Sequence, residues 1–230
     1  MIAPLGLPDV PRWIEAHGIA ADPASWRREL GGGFAVGSDR ARLIVVAGDA
    51  DAAALAALAR ALPSHTLLVA VERPDLAAAT GRRVERALLH ALPHAPGSGP
   101  PPRPEDAPDA DAGAVALPAD ASLAHLPQAL AEELEAARPH RTIWTVFLDG
   151  LPVSFAYAPW RSARWFDVSV DTLPEARQLG LGRMAAVAMI RGEQALGRAP
   201  VWGADEGNAA SLRLARALGF VEVDQLWVAT

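Results

Sequence analysis

The sequence predicts an α/β fold in two lobes, and three observations carry that expectation. Up to residue 92, apolar runs rich in β-branched residues alternate with alanine-rich stretches of helical period. At 93–112, proline, glycine and acidic residues replace that periodicity, which reads as an extended, solvated linker or else as a long surface loop inside one domain. From 113 to 230 the elements run β-α-β-β-β-α-β-α-β. The expected division is therefore an N-terminal α/β lobe at 1–92, a linker at 93–112 and a second domain at 113–230, and 230 residues suffice for either one large core or two small ones.

In the first lobe, strands are expected at 33–37 and 43–47. A helix follows at 51–62, capped by Asp49 or Asp51, whose short carboxylates accept from the free N–H groups of a first turn. A strand at 66–71 leads to a second helix reaching from Pro74 or Asp75 to Leu92, with proline suited to the first helical position. No chemical motif stands out in this lobe.

Beyond the linker, a short strand at 114–117 passes through Pro118 and Asp120 into a helix that places Leu123, Leu126, Leu130 and Leu134 on one face. The strands TIWTVFL and PVSFAYAP are joined by Asp149-Gly150, a pair that tolerates the positive φ angles of a tight hairpin. WFDVSVDT is a third strand. After it come PEARQLGLGR at 174–183, a helix at 180–196, the strand PVWGA, a helix at 208–218 and a last strand through VEVDQLWVA.

Composition excludes several classes of function. Hydrophobic residues make up 51% and charged residues 21%, a globular balance, and no apolar run is long enough to span a bilayer. With no cysteine, disulfides, thiolate nucleophiles and cysteine-based zinc sites are ruled out. A net charge of -6 without a basic run argues against a nucleic-acid surface. His90 and His94 stand four apart, yet Pro93 breaks any helix that would align them, so no metal site is expected. The segment MIAPLGLPDVPRW has neither a basic nor a continuous apolar stretch of secretory type, which makes the cytoplasm the expected compartment.

The chemistry concentrates at Gly180 and Gly182, where a strand hands over to a helix. A first helical turn leaves N–H groups unpaired with the positive end of the dipole behind them, and glycine lets an anion approach the main chain. A Walker A loop would require Lys-Ser/Thr after Gly182, where Arg183-Met184 stands. A dinucleotide fingerprint fits Gly180-x-Gly182-x-x-Ala185 in spacing, but its first glycine should follow the strand directly, whereas LPEARQL intervenes after Thr172. A tight turn without ligand is the plain alternative.

The extra turn is explained by a resemblance. Arg177-x-x-Gly180-x-Gly182 resembles the pyrophosphate-binding motif of the GNAT superfamily of N-acetyltransferases, and the block from Asn208 through Ser211 and Leu218 to Gly219-Phe220 is similar to that family's later helix and its closing Leu-Gly-Phe. The resemblance covers about residues 113–230. It implies a mixed sheet whose central parallel strands, here 165–172 and 201–204, splay apart to admit acetyl-CoA as co-substrate. It further implies that Val170 and Thr172 pair with the pantetheine arm, that Gln178, Leu179, Gly180, Leu181, Gly182 and Arg183 hold the pyrophosphate beside Arg177, and that Asn208 and Ser211 contact the cofactor from the far side.

The implied reaction is direct attack of an amine of a small molecule or peptide on the thioester. Many relatives take a proton donor from a tyrosine seven residues after the asparagine; here that position is Ala215, and the only tyrosine is Tyr157. Tyr157, Ser211 and Ser169 are the hydroxyls left to consider. Strand alternation sets Asp167, Ser169 and Asp171 on one face, making Asp171 and Asp167 the candidate bases with Glu175 behind them. Solvated or salt-bridged aspartates are the plain reading of the same residues. Asp205 and Glu206 are candidates for holding a cationic substrate or capping the next helix, and Trp160, Trp165 and Trp202 for lining an acceptor pocket or filling a core. A homodimer is compatible with the sequence; a non-catalytic acyl-CoA-binding module and a dinucleotide-binding protein are the rival functions. The N-terminal lobe reads as a degenerate half of the same fold.

Overall fold

The structure is a computed structural model that describes residues 5–93 and 113–230, so the expected linker lies, apart from Pro93, outside the described residues. It divides into two compact units that interleave along the chain. One comprises Met1–Ala91, Trp160–Trp165 and Gly203–Thr230; the other comprises Leu92–Pro159 and Phe166–Trp202.

The first unit opens with a 3-10 turn at Pro11–Trp13 and helix α1 (Ile14–Ala21), neither of which the sequence pattern had suggested. Gly18 lies within α1 because Trp160 packs against it: a Cβ there would stand 2.7 Å from the indole ring. Strand β1 (Trp26–Ser38) pairs antiparallel with β2 (Leu43–Ala50), and both extend past their expected bounds. Gly33 makes the longer pairing feasible, since any Cβ on it would meet the Ala47 oxygen and the Ala50 nitrogen at 2.5 Å. Helix α2 (Ala52–Ala61) follows as expected, with Asp51 accepting from Ala54 N–H at 2.8 Å. Strand β3 (Thr66–Ala70) runs parallel to β2.

The expected helix from 74 to 92 is corrected. Helix α3 (Pro74–Ala79) ends after six residues, Gly81 turns the chain at φ +68, and Val84–Ala91 is strand β4. A strand buried on both faces shows no polar alternation, and residues 87–91 are buried without interruption, so the run ALLHA mimics a helix in sequence. What makes it a strand is its partner. The last strand, β11, pairs antiparallel with β4 along nearly its whole length and with β3 on its other side, giving the order β1-β2-β3-β11-β4. Side chains from α1, β1, β2 and β11 fill one core of this unit, and those from α2, α3 and β3 fill another.

The second unit is built on an antiparallel sheet ordered β5-β6-β7-β9, from β5 (Ala114–Ala116), β6 (Trp144–Leu148), β7 (Leu151–Tyr157) and, after the short β8 (Trp165–Asp167), β9 (Ser169–Thr172). The hairpin between β6 and β7 turns on Asp149 at φ 51 and Gly150 at φ 80, as the dipeptide predicts. Helix α4 (Gln128–Ala137) starts later than expected. Pro127 disfavours helical geometry in the residue before it, so Leu123 and Leu126 are buried from turns. Leu134 of α4 packs with Val153, Phe155 and Tyr157 of β7, whereas α5 (Leu181–Gln194) brings Gly192 against Trp144, the cross-strand partner of Ala156. The sheet is thus covered on both faces.

Strand β10 (Ala199–Asp205) and helix α6 (Ala209–Ala217) precede β11 (Val221–Ala229). Among the described residues, no helix is long and apolar enough to cross a membrane.

Candidate active site

The expected strand at 165–172 is two strands. Val168 interrupts it, donating its N–H to the Val201 oxygen at 3.0 Å, so that β8 lies beside β10 while β9 leaves to pair with β7. The chain therefore splays from β10 at Val168. Among the described residues β9 ends the order of its sheet and keeps one edge unpaired, a ready template for an extended ligand.

Cross-strand pairing assigns the side chains of β9 to two faces. Val170 stands opposite Ala156, and Thr172 opposite Ser154, whose hydroxyl lies 2.8 Å from that of Thr172. Ser169 stands opposite Tyr157 and Asp171 opposite Phe155, on the face that α4 covers.

From Thr172 the chain enters the glycine loop. Leu173 and Ala176 are buried and anchor a 3-10 turn at Pro174–Ala176, which is the extra turn seen in the sequence. Arg177 folds back, donating Nε to the Thr172 oxygen at 3.1 Å. Gln178 and Gly180 then adopt positive φ angles of 65 and 79, alternating with Leu179, a backbone form that turns successive N–H groups toward a common concavity. Gly180 is the N-cap of α5, and the first helical bond runs from Met184 N–H to its carbonyl at 3.1 Å. Among the described residues, the N–H groups of Gln178, Leu179, Gly180, Leu181, Gly182 and Arg183 donate to no backbone oxygen.

Six consecutive free donors at a helix start form an anion cradle. Arg183 Nε, in the same first turn of α5, is buried and has no hydrogen-bond partner among the described residues. A buried N–H without an acceptor is costly, and a phosphate oxygen would relieve that cost. These residues fit a pyrophosphate.

On the α4 face of β9 lies a second set of groups. Tyr157 is 6% exposed and donates its hydroxyl to Glu133 Oε1 at 2.5 Å, and Ser169 faces it across the β7–β9 pairing. Burial first, then the hydrogen bond and charge of Glu133, then the charge of Asp171, push the tyrosine well above its usual range. Asp171 is itself raised, chiefly by burial and then by the charge of Glu133, against the lowering effect of Arg177. Asp167, at the break, accepts from Val168 N–H at 2.9 Å and is pushed up to about 7 by burial. Glu133 escaped sequence reasoning. On α4 it reads as one more exposed acid, and only the packing of that helix over β7 brings it to Tyr157.

The remaining candidates divide clearly. Asn208 caps α6, its side-chain oxygen accepting from Ser211 N–H at 3.1 Å. It borders an open cleft with Asp205, Glu206, Arg86 and Trp227, in which Glu206 already holds a cation, the Arg86 guanidinium, at 2.5 Å. The cap is thus Asn208, and neither acid supplies it. Trp202 is core at 2% exposed, Trp160 packs on the first unit's core, and Trp165 donates to the Asp9 oxygen at 3.0 Å. Ala215 is fully buried and offers no hydroxyl. His90 lies in β4, not a helix; His94 lies outside the described residues. Among the described residues no cluster of acids and histidines is placed to hold a metal.

Residues 145–228 match the family described as GNAT acetyltransferase. No functionally curated protein matches the chain. Among solved structures, a putative acetyltransferase of the GNAT family from Novosphingobium aromaticivorans is similar at 19% identity, covering 96% of each chain with a TM-score of 0.57. A GCN5-related N-acetyltransferase from Kribbella flavida is similar at 18% identity over 95% of this chain and 93% of that one, with a TM-score of 0.60. A GCN5-related N-acetyltransferase-like protein from Streptococcus suis shares 16% identity over 96% and 98%, with a TM-score of 0.61. At such identities the likeness establishes the fold, and it extends over nearly the whole chain.

Proposed function

We propose that this GNAT-type chain transfers an acetyl group from acetyl-CoA to an amine of a small molecule or peptide. The observation that carries the proposal is the run of six free N–H groups at Gln178–Arg183, alongside the unpaired edge of β9. The cradle holds the pyrophosphate, and Val170 and Thr172 on the open edge pair with the pantetheine arm.

Bound acetyl-CoA supplies an activated acyl group. The chain's own residues then have three tasks: orienting the thioester along β9, donating a main-chain N–H to the oxyanion, and moving protons. Asp171 and Asp167 suit the removal of a proton from an ammonium, because burial raises both carboxyls toward neutral pH. Tyr157 is the hydroxyl on the same face as Asp171, and its elevated range keeps it protonated.

The rival is an acyl-CoA-binding module without catalysis, favoured by one observation, the buried alanine at position 215. Thermal shift with acetyl-CoA, CoA and NAD tests the cradle, since a ligand of the native state raises apparent stability. Stabilisation by both CoA species but not by NAD is expected, and no response to either CoA species sinks the proposal. Thiol release over polyamines, amino acids, aminoglycosides and peptides then separates enzyme from module. Gly182→Trp should abolish CoA binding in a folded protein.

A further inference from the structure

Tyr157 is the single tyrosine of the chain. Its hydroxyl donates to Glu133, which is exposed to solvent. Ser169 belongs to β9, the strand with the open edge, and stands directly opposite Tyr157 in the β7–β9 pairing. Tyr157 thus stands between Ser169 of β9 and the exposed Glu133, toward which its hydroxyl donates.

We propose that Ser169, Tyr157 and Glu133 are a proton exit path for the acyl transfer, with Tyr157 and Glu133 as positioning residues that act through Ser169. The inference rests on the acetyl-transfer reading. As the amine nitrogen bonds to the acyl carbon and the C–S bond breaks, that nitrogen must lose one proton. It passes to Ser169 Oγ while the serine proton moves to Tyr157 Oη and the tyrosine proton moves to the Glu133 carboxylate. Serine and tyrosine end unchanged, the acid at Glu133 yields its proton to water, and the departing thiolate takes one from solvent. The charged groups facing Tyr157 are Glu133 from α4 and Asp171 from β9, with Arg177 opposing the latter. Two carboxylates and burial keep the tyrosine from ionising, so it hands protons on without becoming tyrosinate.

Two readouts test this. In the ligand-free protein, ultraviolet absorbance reports tyrosinate from Tyr157 alone, because no other tyrosine is present. Glu133→Gln removes one of the two carboxylates and should move that titration down toward the ordinary range; an unmoved titration overturns the link. The second readout is thiol release from acetyl-CoA with methylamine as the probe amine. Glu133→Gln and Tyr157→Phe should each lower kcat by about 100-fold with unchanged KM for acetyl-CoA. The double variant should cost no more than the worse single one, since both act on one path. Wild-type kcat in both variants, multiplying losses, or a wild type no faster than the uncatalysed reaction overturns the path. Absence of any thermal shift with acetyl-CoA would instead remove the acetyl-transfer reading itself. Glu133 is exposed, so its variant folds even where Tyr157→Phe disturbs the core.

Discussion

At the scale of single residues, the site is a set of groups whose ordinary partners are missing or shared. Arg183 Nε is buried without an acceptor, and under the proposed function a phosphate supplies one. Arg183→Met keeps the length of the side chain and removes the donor. A charge-assisted bond contributes about 1.5–3 kcal/mol, so acetyl-CoA should bind roughly tenfold or more weakly in a calorimetric titration. Asp171 is held above the usual carboxylate range by burial and by Glu133. Asp171→Asn should lower kcat by about 100-fold while leaving the affinity for acetyl-CoA unchanged, as measured by thiol release and by titration. Ala215 illustrates the limit of motif transfer. Its methyl group is fully buried, and the candidate hydroxyls, Tyr157 and Ser169, lie instead on β7 and β9.

At the scale of elements, local rules account for the caps and turns. Asp51 accepts from Ala54 N–H at 2.8 Å, and Asp51→Ala should destabilise the protein by about 1 kcal/mol in urea unfolding. Gly150 lies at φ 80 in the β6–β7 hairpin, where an L side chain is strained; Gly150→Ala should cost about 1–2 kcal/mol in the same assay. The same rules misread two segments. Residues 84–91 carry an apolar run that a helix and a doubly buried strand share, and the choice falls to strand because β11 supplies the hydrogen bonds. The α4 region spaces its leucines at helical period, yet Pro127 delays the helix to Gln128 and leaves Leu123 and Leu126 to be buried from turns.

At the scale of the whole molecule, stability should depend on pH through Asp167. Its carboxyl moves from an ordinary 3.8 to about 7 on folding because burial penalises the charge. Between those values the native state binds more protons than the unfolded one, so this group's contribution is present at low pH and is lost as pH rises through about 7. Thermal midpoints of the wild type should therefore fall between about pH 5 and pH 8 relative to Asp167→Asn, whose curve should be flatter over that window. Asp171 is shifted in the same direction and adds to the slope. The interleaving of the units adds a consequence for truncation. Because β11 lies between β3 and β4, removing residues 221–230 should unfold the first unit rather than trim an end, as circular dichroism of the truncated chain would show.

The sequence by itself determined what depends on near neighbours: the starts of the helices that follow Asp51 and Asn208, the Asp149-Gly150 turn, and the glycine loop after its extra turn. These rest on short-range bonds and on φ angles that only certain residues tolerate, so four to ten residues carry the information. Only the tertiary structure decided that 84–91 is a strand, that the strand at 165–172 breaks at Val168, and that Glu133 meets Tyr157. Each of these depends on a partner supplied from a distant part of the chain, by β11, by Val201 and by the packing of α4 across β7, and pairings of that kind leave no local signature in either segment.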